Sequence, residues 1–190
     1  MSFRKLTMAA VAVVSLTFMG APAQAVPIIG TAEITFSGTS AVPTDPIQIG
    51  STFTSTLAFW GGTTGDFTNV TIGTAINTPF SFTASVGSMV AFASGVGNFM
   101  GTVGDVTSSA NNNQESVTTF VLVGTFTPLG TLAGLGFTET EARLVLAATQ
   151  SQGDNGAGGA SAVSLSGTLS TVPVPVPASL ALLGAGLVAL

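Results

Sequence analysis

Phe53-Thr54-Ser55-Thr56-Leu57-Ala58-Phe59 decides how this chain folds. Its apolar side chains fall on odd positions, with Thr54 and Thr56 between them. Successive side chains of an extended strand point to opposite faces, so the spacing predicts a strand with one oily and one hydroxylated face. The same rule holds upstream in Thr31-Ala32-Glu33-Ile34-Thr35-Phe36-Ser37, where the apolar positions are even. Downstream it continues through Val70-Thr71-Ile72 and Phe80-Ser81-Phe82-Thr83-Ala84-Ser85-Val86. Thr, Val, Ile and Phe suit a pleated, half-buried surface.

Further strands are expected over residues 89–93, 117–126, 142–149 and 162–169. Phe120, Val121, Leu122 and Val123 stand in a row, which predicts a central strand covered on both sides. Turn chemistry separates the runs at Val42-Pro43-Thr44-Asp45-Pro46, Gly61-Gly62, Asn77-Thr78-Pro79, Gly95-Val96-Gly97-Asn98 and Gly153-Asp154-Asn155-Gly156. Residues 108–115, with Asn111-Asn112-Asn113-Gln114, read as a solvated loop. Roughly eight strands at this spacing predict an all-β, antiparallel β-sandwich or jelly-roll-like domain. A β-solenoid needs a fixed repeat period, and none runs through the chain. Thr138-Glu139-Thr140-Glu141 fits a helix capping box. The alternation of Leu144 and Leu146 with Arg143 and Val145 favours a strand there.

The two ends differ from this middle. Arg4 and Lys5 precede an apolar run from Leu6 to Gly20, and Ala23-Gln24-Ala25 has the small-x-small form of a signal-peptidase site. Residues 1–25 are therefore expected to be a signal peptide, cut between Ala25 and Val26. The run is too short to span a bilayer core of about 30 Å comfortably, which disfavours an uncleaved anchor. Residues 26–171 form the expected ectodomain. Residues 172–190 begin with alternating Val and Pro, a stiff polyproline-like spacer, and end in the apolar stretch 178–190, expected to be helical. A packed C-terminal core element is the alternative for that stretch.

Chemistry is scarce in the expected ectodomain. Eight acidic residues face Arg143 alone, since the other two bases precede the cleavage site. Nucleic-acid binding needs a basic footprint to neutralise phosphates, and one arginine cannot supply it. The composition is 46% hydrophobic, which argues against disorder. His, Cys and Tyr are absent, so Ser-His-Asp and Cys-His catalysis, thiolate or imidazole metal sites and disulfides are excluded. Paired carboxylates are the remaining catalytic route. Glu139 and Glu141 would share one face of a strand, although Arg143 two residues on makes a structural role the better reading. Asp66 and Asp105, each after a glycine, read as turn residues whose side chains cap their own backbone. Gly153-Asp154-Asn155-Gly156 offers oxygen ligands for calcium but lacks the spaced acids of a calcium loop. Trp60, the single tryptophan, could stack a sugar ring, or it is a strand-end residue tucked into the core edge. Asn69-Val70-Thr71 matches an N-glycosylation sequon. No cofactor and no metal are expected, and the ectodomain reads as non-enzymatic.

Val174-Pro175-Val176-Pro177-Ala178-Ser179, followed by Leu180-Ala181-Leu182-Leu183-Gly184-Ala185-Gly186-Leu187, resembles the sorting tail of the PEP-CTERM family of bacterial exported proteins, in its Val-Pro-Leu-Pro-Ala variant. Val176 stands where the two family versions have Glu or Leu, and no arginine cluster follows Leu187 in the sequence. The resemblance implies recognition by exosortase, a membrane protease-transpeptidase. It also implies a Gram-negative, cell-surface or extracellular location, with biofilm polysaccharide nearby. The expected partners are signal peptidase, exosortase, a membrane through the C-terminal segment, and polysaccharide. A secreted carbohydrate- or partner-binding module is the alternative function, and a carboxylate hydrolase ranks last.

Overall fold

Thr- and Phe-rich alternation builds one antiparallel sheet that curls until it nearly closes on itself. The computed structural model describes residues 26–42, 47, 49–77, 79–111, 115–151 and 162–171. The expected signal peptide, the Gly153–Gly156 turn and the spacer with its apolar tail lie outside the described residues.

The elements in chain order are β1 (Val26–Pro27), β2 (Gly30–Val42), β3 (Thr52–Thr63), a 3-10 turn (Gly65–Asn69), β4 (Ala75–Ile76) and β5 (Phe80–Thr83). There follow β6 (Met89–Ala93), β7 (Gly97–Asn111), β8 (Glu115–Pro128), helix α1 (Gly130–Gly134), β9 (Phe137–Thr138), β10 (Thr140–Ser151) and β11 (Ala162–Thr171). The main sheet runs β4-β3-β2-β11-β10-β8-β7-β6, with β5 continuing β4 along β3. Its two ends meet at the bridge between Ile76 and Ser94, beside the Asn77 N–H bond to the Ala93 carbonyl at 2.7 Å.

The all-β, antiparallel expectation holds, with the strands forming one nearly closed sheet in up-and-down order in place of two packed sheets. Nearly every strand pairs with its neighbour in the chain, and β11 returns to β2. Among the described residues only the short β1–β9 pair lies outside the main sheet and no second large sheet covers it, so the twisted sheet buries its oily face by closing. The closure loosens at one end, because the β11–β2 ladder stops at Ser166 and Thr35. There two leaves face each other across Phe53, Phe82 and Phe120, whose ring centroids lie 5.2–5.3 Å apart. The buried amide oxygen of Gln150 accepts the Ile47 N–H at 2.8 Å and ties the β2–β3 connection across that end.

The core fills the barrel. Trp60, Phe53, Phe67, Phe99, Phe120 and Phe126 are its largest fully buried side chains. Each such side chain contributes about 1.5–3 kcal/mol on burial. Along β8 and β10 the alternation is regular, with Phe120, Leu122, Phe126, Leu144 and Leu146 inward. Val123 is exposed on the outside, so β8 is central but covered on one face only.

In β3 the odd-position rule fails halfway. Phe53 and Ser55 point inward, then Ala58 and Trp60 do, while Thr56 and Leu57 are both exposed. The change of phase lies opposite Gly38, whose φ of 63° is a left-handed conformation that side-chain-bearing residues rarely adopt. Three other expectations are corrected. Val70-Thr71-Ile72 is no strand: it follows the 3-10 turn, with Val70 buried and Ile72 exposed in a turn. Residues 108–111 belong to β7 and residue 115 opens β8. Asp105 sits within β7 beside the bulge between Val103 and Asp105, not in a turn.

Candidate functional site

Two parts of the barrel are placed to meet another molecule: one end and one stretch of outer wall. The end is closed by the 3-10 turn, α1 and the β1–β9 pair, with Ile28, Phe67 and Leu132 fully buried beneath them. Local hydrogen bonds fix the chain there. Ile28 N–H donates to Thr140 Oγ1 at 3.1 Å. Ile29 N–H donates to Asp66 Oδ2 at 2.8 Å, and Asp66 N–H returns a bond to the Ile29 carbonyl at 2.9 Å. Thr64 N–H donates to the Thr31 carbonyl at 2.8 Å. Strand β11 finishes at the same end, with Thr171 opposite Gly30 and Thr171 Oγ1 donating to the Gly30 carbonyl at 3.3 Å. Val26 and Thr171, the two junctions with the flanking segments, therefore sit at one end of the barrel.

The wall feature is a shallow groove of about 490 Å³ across β6, β7 and β8. Strand register explains its composition. Ala93 pairs with Asn98 and Asn98 with Thr127, while Ala91 pairs with Met100 and Met100 with Thr125. These outward side chains make one polar row and one more apolar row. Glu139 completes the polar row, its Oε2 accepting the Thr127 hydroxyl at 2.9 Å. Glu141 lies opposite Thr125 and Arg143 opposite Val123, all three charged residues exposed on the outer wall. Glu139 and Glu141 do share a face, as the strand reading required. They stand on an open wall with no cleft to exclude water.

Asp66 does not cap its own backbone; its carboxylate spans to Ile29. Trp60 is fully buried, stacked on Phe67 at 6.2 Å and edge-on to Phe92 and Phe126, which removes it as a sugar platform. Asn69 ends the 3-10 turn and its Nδ2 donates to the Asp66 carbonyl at 2.9 Å. Val26 opens β1 and is exposed, whereas Ala25 and the motif residues Val174 to Ser179 lie outside the described residues. Asn98, Met100, Thr125 and Thr127 were not singled out in the sequence. Their signal is alternation with the inward Phe99 and Phe126, hidden because Gly97, Gly101 and Gly104 read as breaks. Among the described residues no three His, Cys, Asp or Glu side chains gather as a metal site, and no helix is long and apolar enough to cross a membrane. Comparison with protein-family models, curated proteins and solved structures finds no match to the chain.

Proposed function

We propose that this chain is an exported surface or matrix protein without catalytic activity, its barrel tethered by a C-terminal segment of the exosortase-substrate kind. The observation that supports the reading is the Gly30–Thr171 pair, which brings the start of β2 and the end of β11 to one end of the barrel. A tether leaving there presents the rest of the barrel outward. The polarity of the wall agrees with exposure to water: Thr35, Ser37, Ser164, Ser166 and Thr168 face out, while the interior is apolar. A membrane-spanning barrel has the reverse arrangement, with an apolar band outside. Mass spectrometry of the protein from its native host tests the reading, with Val26 expected as the first residue. Full-length protein in the cytoplasm, still carrying Met1, would end it.

The wall groove favours a second reading, a binding module for polysaccharide or a protein partner. Asn98, Thr125, Thr127 and Glu139 offer donors and acceptors beside the methyl and thioether groups of Ala91 and Met100. Glycan-array binding weakened by Asn98→Ala with Thr127→Val would support it, and unchanged or absent binding would remove it.

A further inference from the structure

We infer that the closed end of the barrel is a seat for the surface of a neutral lipid bilayer. Val26, Ile29, Ile72, Leu129 and Leu135 all belong to this end and are 38–67% exposed. They are carried on turns and short elements, where polar residues are the ordinary choice. The hydrogen bonds and pairings above join the segments that carry them at this end of the barrel. Val26 pairs with Phe137, two residues beyond Leu135. Ile29 is bonded to Asp66 in the 3-10 turn, and the Gly73 N–H next to Ile72 donates to the Trp60 carbonyl at 2.7 Å. None of the five can turn inward, because Ile28, Phe67 and Leu132 already fill the interior below them.

The occupant follows from where the chain goes. This inference rests on the proposed membrane tether. Thr171 ends β11 at this same end, and residues 172–177 then lead to the apolar stretch 178–190. Six residues reach at most about 21 Å, whatever their conformation. A bilayer holding the apolar stretch therefore lies within reach of the five aliphatic side chains. The charges decide the type of lipid. Asp66 is the acid carried by the turn at this end, Glu139 stands where the wall meets it, and Arg143, the one base among the described residues, lies further along the wall. An anionic surface would repel this end, and a zwitterionic one would not.

The chain has no cysteine, so single-cysteine variants can carry an environment-sensitive fluorophore. The full chain carrying Ile72→Cys, Leu135→Cys or, at the opposite end, Val86→Cys is mixed with phosphatidylcholine vesicles and floated. The expected result is flotation, a blue shift at positions 72 and 135, loss of their emission to brominated acyl chains, and no change at 86. Flotation with all three labels behaving alike overturns the seat while leaving the tether intact. A blue shift at 72 and 135 without vesicles assigns the patch to a second copy of the chain and overturns the lipid seat. Failure to float removes the tether reading and the seat with it. Far-UV circular dichroism confirms that each exposed-site variant keeps its sheet.

Discussion

Trp60 Nε1 donates to Ser94 Oγ at 3.2 Å, at the seam where the two ends of the sheet meet. The same hydroxyl accepts the Val96 and Gly97 N–H groups at 3.2 and 3.1 Å and donates to the Gly97 carbonyl at 2.8 Å. One small side chain thus orders the β6–β7 turn and satisfies the indole buried behind it. Ser94→Ala leaves these donors in an apolar interior. A buried donor without a partner costs about 1–3 kcal/mol, so urea unfolding should show a loss of about 2 kcal/mol or more. A change below about 0.5 kcal/mol would mean that the seam does not depend on this hydroxyl.

The β7–β8 ladder brings Gly101 opposite Gly124. A Cβ at Gly124 would sit inside the van der Waals shell of the Met100 carbonyl oxygen and the Gly101 Cα. Gly104, in the bulge, has the Val121 carbonyl oxygen as nearest neighbour at 3.6 Å. Gly124→Ala should lower stability by about 3 kcal/mol and Gly104→Ala by less than about 1 kcal/mol. Equal effects in thermal melts would contradict the close approach.

Thr140 Oγ1 accepts the Ile28 N–H and donates to the Thr138 carbonyl at 3.0 Å. Thr140→Val keeps the shape and removes both bonds. Amide exchange at Ile28 should accelerate by about tenfold or more, as expected for losing about 1.4 kcal/mol of local protection. Exchange at Leu144, further along β10, should change far less.

Trp60→Ala deletes an indole at the centre of three aromatic contacts. The cavity should cost about 3–5 kcal/mol. Any glycan binding should fall only as far as the folded fraction falls. Loss of binding at full folding would restore a direct role for this ring.

Strand existence was legible because the hydroxyl and aromatic residues alternate so regularly, as in Ala32, Ile34 and Phe36 or Phe80, Phe82 and Ala84. The phase slip at Thr56–Leu57 was not, because its cause is Gly38 on the partner strand. Strand β7 was hidden by glycines that look like breaks; Gly97 and Gly101 instead make room for the rings of Phe126 and Phe99. Closure was beyond reach for a similar reason. Whether a chain of hairpins stacks as two sheets or curls into one depends on pairing between Gly30 and Thr171, far apart in sequence. The wall groove went unseen with β7. Trp60 was read correctly as a core candidate, yet its partner Ser94 lies in a turn that announces nothing of the bond.

The Gly30–Thr171 pair also governs when the molecule can finish forming. Their separation is 141 residues, so among the described strands the one synthesised last is the one that completes the ring. Until it arrives, β2 and β10 each present an unsatisfied backbone edge to whatever lies nearby, a setting for slow folding and for edge-to-edge association between nascent molecules. A ribosome that stalls before Ala162 releases not a slightly shortened barrel but an open, adhesive sheet.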